Sequence, residues 1–326
     1  MKICLVYRKK GKGYSIEEIF DNLITEFLRK KVLVKKAEVP HNKISFVNII
    51  KNIIFVQKQK GLVHVTGDIH YVTINPFKKT ILTIHDVGSI MKGNSLNIFF
   101  KKTLWIWLPT LFVSQITVIS NFSKEELLKI APWAKKKITV IHNPVNSSLK
   151  NVPKEFNKRF PSILHIGTKP NKNLKNTIKA LNGIACKLIV VGKLNADQIE
   201  LLSANKIYYV NYYNIQYSKI KKLYEKCDIV SFISKYEGFG MPVIEAQRVG
   251  RPIITSNVCS IPEIAGRGAH FVNPENIFEI HSGFKKIISD NHYRQRLIKL
   301  GEENVKRFSI NAIADQFINL YNKLYI

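Results

Sequence analysis

The chain has 326 residues, 51 of them Lys or Arg against 23 Asp or Glu, for a formal net charge of +28 at pH 7. Apolar residues make up 45% and charged residues 23%, which excludes a largely disordered chain. At about 150 residues per domain the length predicts two folded domains, each with a core of its own.

The chain opens with MKICLVYRKK, a first strand over 2–7 whose apolar run is too short for a signal-peptide core. Further β-branched runs follow at 61–66, 80–85, 115–119 and 137–142. Between two of them, 103–118 comes nearest to a membrane span. Pro109, Thr110, Ser114 and Gln115 interrupt it, and no window reaches the ~18 apolar residues that a spanning helix needs. The four cysteines, Cys4, Cys186, Cys227 and Cys259, form no CxxC, so a zinc ribbon or disulfide framework is not expected and a reducing compartment is. Together these features predict a cytoplasmic protein without a span.

A Pro- and charge-rich connection over 144–161 precedes a second block of strands: SILHIG, KLIVVG, KIYYVN, CDIVSFIS and RPIITS. The strands are continuously apolar, as expected when helices cover both faces of a parallel sheet. Helical stretches such as NKNLKNTIKALNGI and YSKIKKLYEKC separate them, and 291–326 reads as helical with a break at Phe308–Ser309. Strand–helix alternation in two blocks predicts α/β architecture with two doubly wound domains, 1–150 and 151–308.

The charge is not a detachable tail. Residues 1–150 carry 25 basic against 9 acidic side chains and the remainder 26 against 14. Lysines on solvated faces explain part of this. Attraction to nucleic acid, anionic lipid or a phosphorylated substrate explains the rest equally well, so local motifs must decide.

In open parallel sheets, ligands bind beyond the carboxyl ends of strands. After CDIVSFIS, residues Glu237, Gly238, Phe239, Gly240, Met241 and Pro242 form a loop that opens a helix. Pro suits the first helical turn, glycines allow close backbone approach, and helix-start N–H groups face an anion such as a diphosphate. Glu237 at the strand exit and Glu245 inside the helix are expected to point into one crevice and accept hydrogen bonds from sugar or ribose hydroxyls. After SILHIG, Lys169 and Lys172 precede another helix, and Lys172 is a point charge for phosphate. His85 and Asp86 lie at a strand end of the first domain. The alternative is purely structural: a buried helix glutamate, turn-shaping glycines and solvated lysines.

Asp-x-Asp is absent, so a carboxylate pair holding a metal–diphosphate is not expected. P-loop and dinucleotide fingerprints are absent too, and Gly11-Lys12-Gly13 is a weak glycine signal.

Taken together, these residues resemble glycosyltransferase family 4, the retaining nucleotide-sugar transferases of GT-B architecture. The stretch YEGFGMPVIEAQRVGRPIITSNVCSIPEIAGRGAHFVNP carries the resemblance most specifically. Glu237 and Glu245 stand in it with seven residues between them, followed by Gly-Arg-Pro at 250–252, Ser256-Asn257, and Pro262-Glu263 through Pro274. VHVTGDIHY, LTIHD, ITVISNFSKEEL, KITVIHNPV and ILHIGTKPNKN fall in the family's order, so the likeness covers nearly the whole chain.

The resemblance implies a cleft between the two domains, with the acceptor bound by the first. It also implies that a helix over 309–326 packs back on that domain. Glu237 would bind hydroxyls of the transferred sugar and Glu245 the nucleotide ribose. Backbone at Gly238, Phe239, Gly240 and Met241 would meet the sugar or diphosphate, and Lys172 the diphosphate. His85 would face the sugar from the first domain, and Gly11 to Gly13 would approach the donor. Many members carry arginine after the glycine matching Gly167; here Thr168 stands there, with Lys169 next.

The expected function is retaining transfer of a sugar from a UDP- or GDP-sugar to a glycan or lipid-linked acceptor in surface-polysaccharide synthesis. Neither metal nor cofactor is expected. Peripheral membrane contact is expected through 97–112, where Phe99, Phe100, Trp105 and Trp107 lie beside Lys101 and Lys102. A basic nucleic-acid-binding protein or an inactive relative are the alternatives. Without a recognised nucleic-acid module, and with Glu237, Glu245 and Lys172 present, neither is favoured, and nucleic acid is not expected as a partner.

Overall fold

The structure, a computed structural model, describes residues 1–9, 15–88 and 95–325, without the side chains of 15, 16 and 96. It divides into two compact units: Met1–Pro144 with Ser309–Ile326, and Val145–Phe308. The division falls at Pro144, six residues before the expected boundary at 150.

The first unit contains a six-stranded sheet ordered β2-β1-β3-β4-β5-β6. Its strands are β1 (Lys2–Tyr7), β2 (Leu33–Glu38), β3 (Leu62–Val65), β4 (Thr80–Ile84), β5 (Gln115–Val118) and β6 (Ile138–Val140), all paired in parallel. β1 shows why it sits centrally. Cys4 and Val6 face one apolar cluster with Val63, Val65 and Leu82. Ile3, Leu5 and Tyr7 face the other, where Phe20, Leu23 and Phe27 of α1 (Ser15–Arg29) pack. Both faces are therefore covered, which is why the strand has no polar alternation.

The second face is completed by the last helix, α13 (Ile310–Tyr325), through Ile313, Phe317 and Tyr321. The Tyr321 hydroxyl lies 2.7 Å from Nδ1 of His64, whose Nε2 lies 2.7 Å from the Thr83 hydroxyl. Burial holds His64 neutral, with its pKa pushed down to about 3; positive charge at His85 would add to this.

The second unit contains a six-stranded parallel sheet ordered β12-β11-β10-β7-β8-β9. Its strands are β7 (Ser162–Ile166), β8 (Lys187–Val191), β9 (Tyr208–Tyr212), β10 (Ile229–Phe232), β11 (Ile253–Ser256) and β12 (His270–Val272). Numbered within the unit, this is the 3-2-1-4-5-6 order of a dinucleotide-type fold, and the winding reverses between β7 and β10.

Two strands are absent from the sequence-based set, β2 and β12, and each is an edge strand. β2 reads LVKKAE and buries only Ala37. β12 is three residues long. An edge strand needs no continuous apolar run, and these two do not stand out in the hydropathy pattern, whereas the edge strands β6 and β9 do. No helix among the described residues is long and apolar enough to cross a membrane.

Candidate donor site at the switch point of the second sheet

β7 and β10 each run into a loop whose backbone is set by glycine. After β7, Gly167 adopts φ 98°, where an L side chain is strained. A Cβ there would stand 2.6 Å from Cγ of Lys172, so the missing side chain makes room for the lysine stem. A single turn, Pro170–Lys172, and a left-handed Asn173 then lead into α6 (Leu174–Ala180). Asn173 tolerates φ 59° better than a branched residue would, and its side-chain amide donates to the Pro274 carbonyl at 2.7 Å.

After β10, Gly240 adopts φ 107° and α9 (Met241–Val249) begins with Pro242 in its first turn. A Cβ on Gly240 would meet Cδ1 of Ile261 at 2.6 Å. The Ser260 hydroxyl lies 2.9 Å from the carbonyl oxygens of both Glu237 and Phe239 and fixes the loop from below. Phe239 turns its side chain into the core, edge-on to Phe308. Only its backbone is left to serve a ligand.

The two loops are joined to each other. The Lys235 amide donates to the Asn171 carbonyl at 2.8 Å, and the Asn171 side chain donates to the Tyr236 carbonyl at 3.2 Å. Across this junction Lys172 Nζ donates to Glu237 Oε1 at 2.6 Å, with both side chains largely shielded from solvent. The ammonium also lies 4.8 Å over the Phe232 ring. On β7, buried His165 has its pKa lowered to about 4, first by burial and then by the charge of Lys172.

Glu245 lies on the inner face of α9, only 7% exposed. Its two carboxylate oxygens accept from Tyr217 at 2.9 Å and Tyr224 at 2.7 Å. Both tyrosines lie on α8 (Tyr217–Lys226), seven residues or about two turns apart, and so on one face. Burial and the neighbouring carboxylate hold the Tyr224 phenol protonated, with its pKa well above the ordinary value.

The chemistry of this arrangement is specific. One cation and one carboxylate meet at the carboxyl ends of the two strands flanking the switch point, beside the amino end of α9. An anion and a hydroxyl-bearing group can both be met there without either side chain moving far.

Residues 150–304 match the family model described as Glycosyl transferases group 1. This stretch of the chain belongs to that family.

The group 1 stretch contains every expected residue of the second domain. Among curated relatives, the O-antigen chain mannosyltransferase RfbU of Salmonella typhimurium is 27% identical over 228 residues, 66% of this chain and 62% of that protein. The uncharacterized glycosyltransferase MJ1607 of Methanocaldococcus jannaschii is 25% identical over 241 residues, 66% of this chain and 61% of that protein. The matched stretch thus spans less than two thirds of each relative's length. Anabaena Alr3699/HepE, solved in complex with UDP, matches 99% of this chain and 100% of its own, with a TM-score of 0.78 at 18% identity. That likeness extends the GT-B fold over both units.

Several expectations need correction or relocation. Glu237 meets Lys172 and Asn171, and Glu245 meets two tyrosines. Thr168 directs its hydroxyl to the Lys193 carbonyl at 2.7 Å and accepts from Gln198 at its own carbonyl, so it holds the loop rather than offering charge. Lys169 stands exposed at the head of the turn. His85 follows β4 in the first unit, and its Nε2–H donates to the Thr66 carbonyl at 2.8 Å, leaving the lone pair on Nδ1. Burial lowers its pKa and the ring is neutral. Gly11 and Gly13 lie outside the described residues.

Trp105 and Trp107 are only half-exposed, and Trp107 lies edge-on to Phe99 with ring centroids 5.7 Å apart. Both pack on the core, donating their indole N–H groups to the carbonyls of Asp68 and Ile130. Phe99 and Phe100 are 56% and 57% exposed.

Asn171, Ser260, Tyr217 and Tyr224 were not expected at the site. The seven-residue spacing of the tyrosines was readable. The long-range bonds of Asn171 and Ser260 left no trace in the local pattern.

Proposed function

We propose that the protein transfers a hexose from a nucleotide-sugar, UDP- or GDP-linked, to a glycan or lipid-linked acceptor in surface-polysaccharide synthesis, with retention of configuration. The observation that carries this reading is the Lys172–Glu237 pair at 2.6 Å across the switch point. The names of the O-antigen relatives and of the UDP-bound HepE structure support it.

Breaking a sugar–diphosphate bond places positive charge on the ring and negative charge on the leaving group. Lys172 and the amino end of α9 stabilise the diphosphate, and Glu237 holds hydroxyls of the moving sugar. Gly238, Gly240 and Met241 offer backbone to the donor, and Glu245 takes the ribose hydroxyls in exchange for part of its tyrosine bonding. Among the described residues, no side chain at the site has the setting of a nucleophile, and the family likeness assigns front-face attack, with the leaving phosphate taking the acceptor's proton. Lys172 supplies the cation at the leaving group, so transfer is expected to persist in EDTA without a metal or other cofactor.

The protein works at the inner face of a membrane in this reading. Phe99, Phe100, Leu111 and Phe112 are exposed, as are Phe46, Val47 and Ile50 of α2 (Phe46–Gln57). Neither 39–67 nor 87–124 contains an acidic residue. Exposed rings and aliphatic side chains among lysines complement an anionic lipid surface.

A thermal-shift panel of UDP- and GDP-sugars against oligonucleotides tests the reading. Stabilisation by one nucleotide-sugar and by its nucleoside diphosphate is expected. Stabilisation by oligonucleotides alone would overturn it.

A further inference from the structure

Two buried arginines of the second unit bond only to neutral acceptors. Arg251, 4% exposed, stands two residues before β11. Its Nη1 donates to the carbonyls of Val152, Val249 and Gly250 at 2.9, 3.1 and 3.2 Å, and its Nη2 to the Glu225 carbonyl at 2.6 Å. Its Nε–H has no protein partner. Arg294, 5% exposed, lies on α12 (Asn291–Val305) and donates to the carbonyls of Ile287 and Ile288 and to the side-chain oxygen of Asn291. Burial lowers the pKa of both guanidiniums, but an arginine keeps its charge in a protein.

Both arginines line one cavity of about 30 Å³, together with Lys154, Phe156, Cys227 and Asp228. Three cations thus face one carboxylate, and that carboxylate is already engaged. Asp228 accepts from Lys154, from the Asn157 amide at 3.1 Å, and from the amide and hydroxyl of Ser162 at 2.8 and 2.7 Å. Cys227 supplies no charge, because burial pushes its thiol up to about 12. Phe156 closes one side, its ring centroid 3.8 Å from Cζ of Arg294. A cation shielded from water without an opposite charge is costly. The volume suits a single water or a monatomic anion and excludes a nucleotide or a sugar.

We infer that this cavity is a binding site for a small monatomic anion of chloride size, held by Arg251 and Arg294 and neutralising them. The anion would tie together the segment 152–156, the turn before β11 and α12. Asp228 precedes β10 and Pro252 precedes β11, so the site lies at the amino ends of these strands, away from the donor loops at their carboxyl ends. The inference does not depend on the transferase reading.

Thermal melts of the full chain in a chloride titration, with gluconate replacing chloride at constant ionic strength, read the site. Crystals soaked in bromide locate it. Saturable stabilisation by chloride is expected, with an anomalous bromide peak in the cavity against both arginines. Gln295 is exposed and also lines the cavity, so Gln295→Glu adds a tethered carboxylate with little change of shape. It should raise the melting temperature in gluconate and raise the half-saturating chloride concentration about fivefold or more, the scale of one charged hydrogen bond. Arg294→Gln should raise that concentration to a similar extent, and Gln295→Glu keeps the test decisive if Arg294→Gln does not fold. No advantage of chloride over gluconate, a cavity without anomalous signal, or a half-saturating concentration in Gln295→Glu within about twofold of the parent would each overturn the assignment.

Discussion

Lys172 and Glu237, 65 residues apart in the chain, meet at 2.6 Å where the second sheet reverses its winding. Each would be costly to leave shielded and alone, so the pair preserves both charges at the site until a ligand replaces one with the other's partner. Gly167 makes the pairing possible by leaving space for the lysine stem.

Replacing Lys172 with Ala should weaken binding of the nucleoside diphosphate by roughly 1.5–3 kcal/mol, the range for a charged hydrogen bond. Gly167→Ala should weaken it in the same direction while keeping the lysine, because the new Cβ displaces the stem. Calorimetry with UDP and GDP reads both. Unchanged affinity in Lys172→Ala would contradict the role given to this ammonium.

Tyr224→Phe removes a buried 2.7 Å hydrogen bond to Glu245. The carboxylate loses a donor that water cannot easily replace, so unfolding should cost about 1–3 kcal/mol less in denaturant titration. Stability equal to the parent would show that Glu245 satisfies itself elsewhere.

Two buried histidines predict acid sensitivity. His165 titrates at about 4 and His64 at about 3, both mainly because burial disfavours the cation, whereas the unfolded chain takes up these protons near 6.5. Between those values the unfolded state binds more protons than the folded one. Their contribution is therefore full above pH 6.5 and is lost as pH falls towards 4 for His165 and towards 3 for His64. The melting temperature should drop over this window, and His165→Leu should make the slope shallower. A flat profile, or a slope untouched by His165→Leu, would count against neutral burial.

The exposed rings and lysines of the first unit predict co-sedimentation with anionic vesicles, weakened by raised salt. At about 1 kcal/mol per lysine near the surface, Lys101→Glu with Lys102→Glu should reduce binding more than tenfold. Equal binding to neutral and anionic vesicles, or none to either at low salt, would leave these residues without a lipid partner.

The sequence was readable where burial is continuous. Eight of the ten strands with apolar runs are largely buried, and the half-buried edge strands β6 and β9 still carry Ile, Val and Tyr, whereas β2, with Lys35 and Lys36 in its middle, and three-residue β12 do not stand out. Glu237, Glu245 and Lys172 were legible through a motif, but their partners were not. That Lys172 bonds Glu237, and that tyrosines rather than solvent meet Glu245, depends on contacts across tens of residues. The tryptophans were misplaced for a similar reason. Trp105 and Trp107 sit among aromatics and lysines in sequence, but carbonyls of Asp68 and Ile130 take their N–H groups and leave the rings half-buried.

The central claim is that Glu237 holds the moving sugar while Lys172 holds its leaving group. Steady-state turnover of Glu237→Gln on the donor that stabilises the protein tests it most directly, with melting temperature and nucleoside diphosphate affinity measured alongside. The amide keeps the shape but loses the charge that should matter most as the ring becomes positive. Turnover is predicted to fall at least tenfold, about 1.4 kcal/mol or more, with the fold retained. Turnover within twofold of the parent would contradict the account.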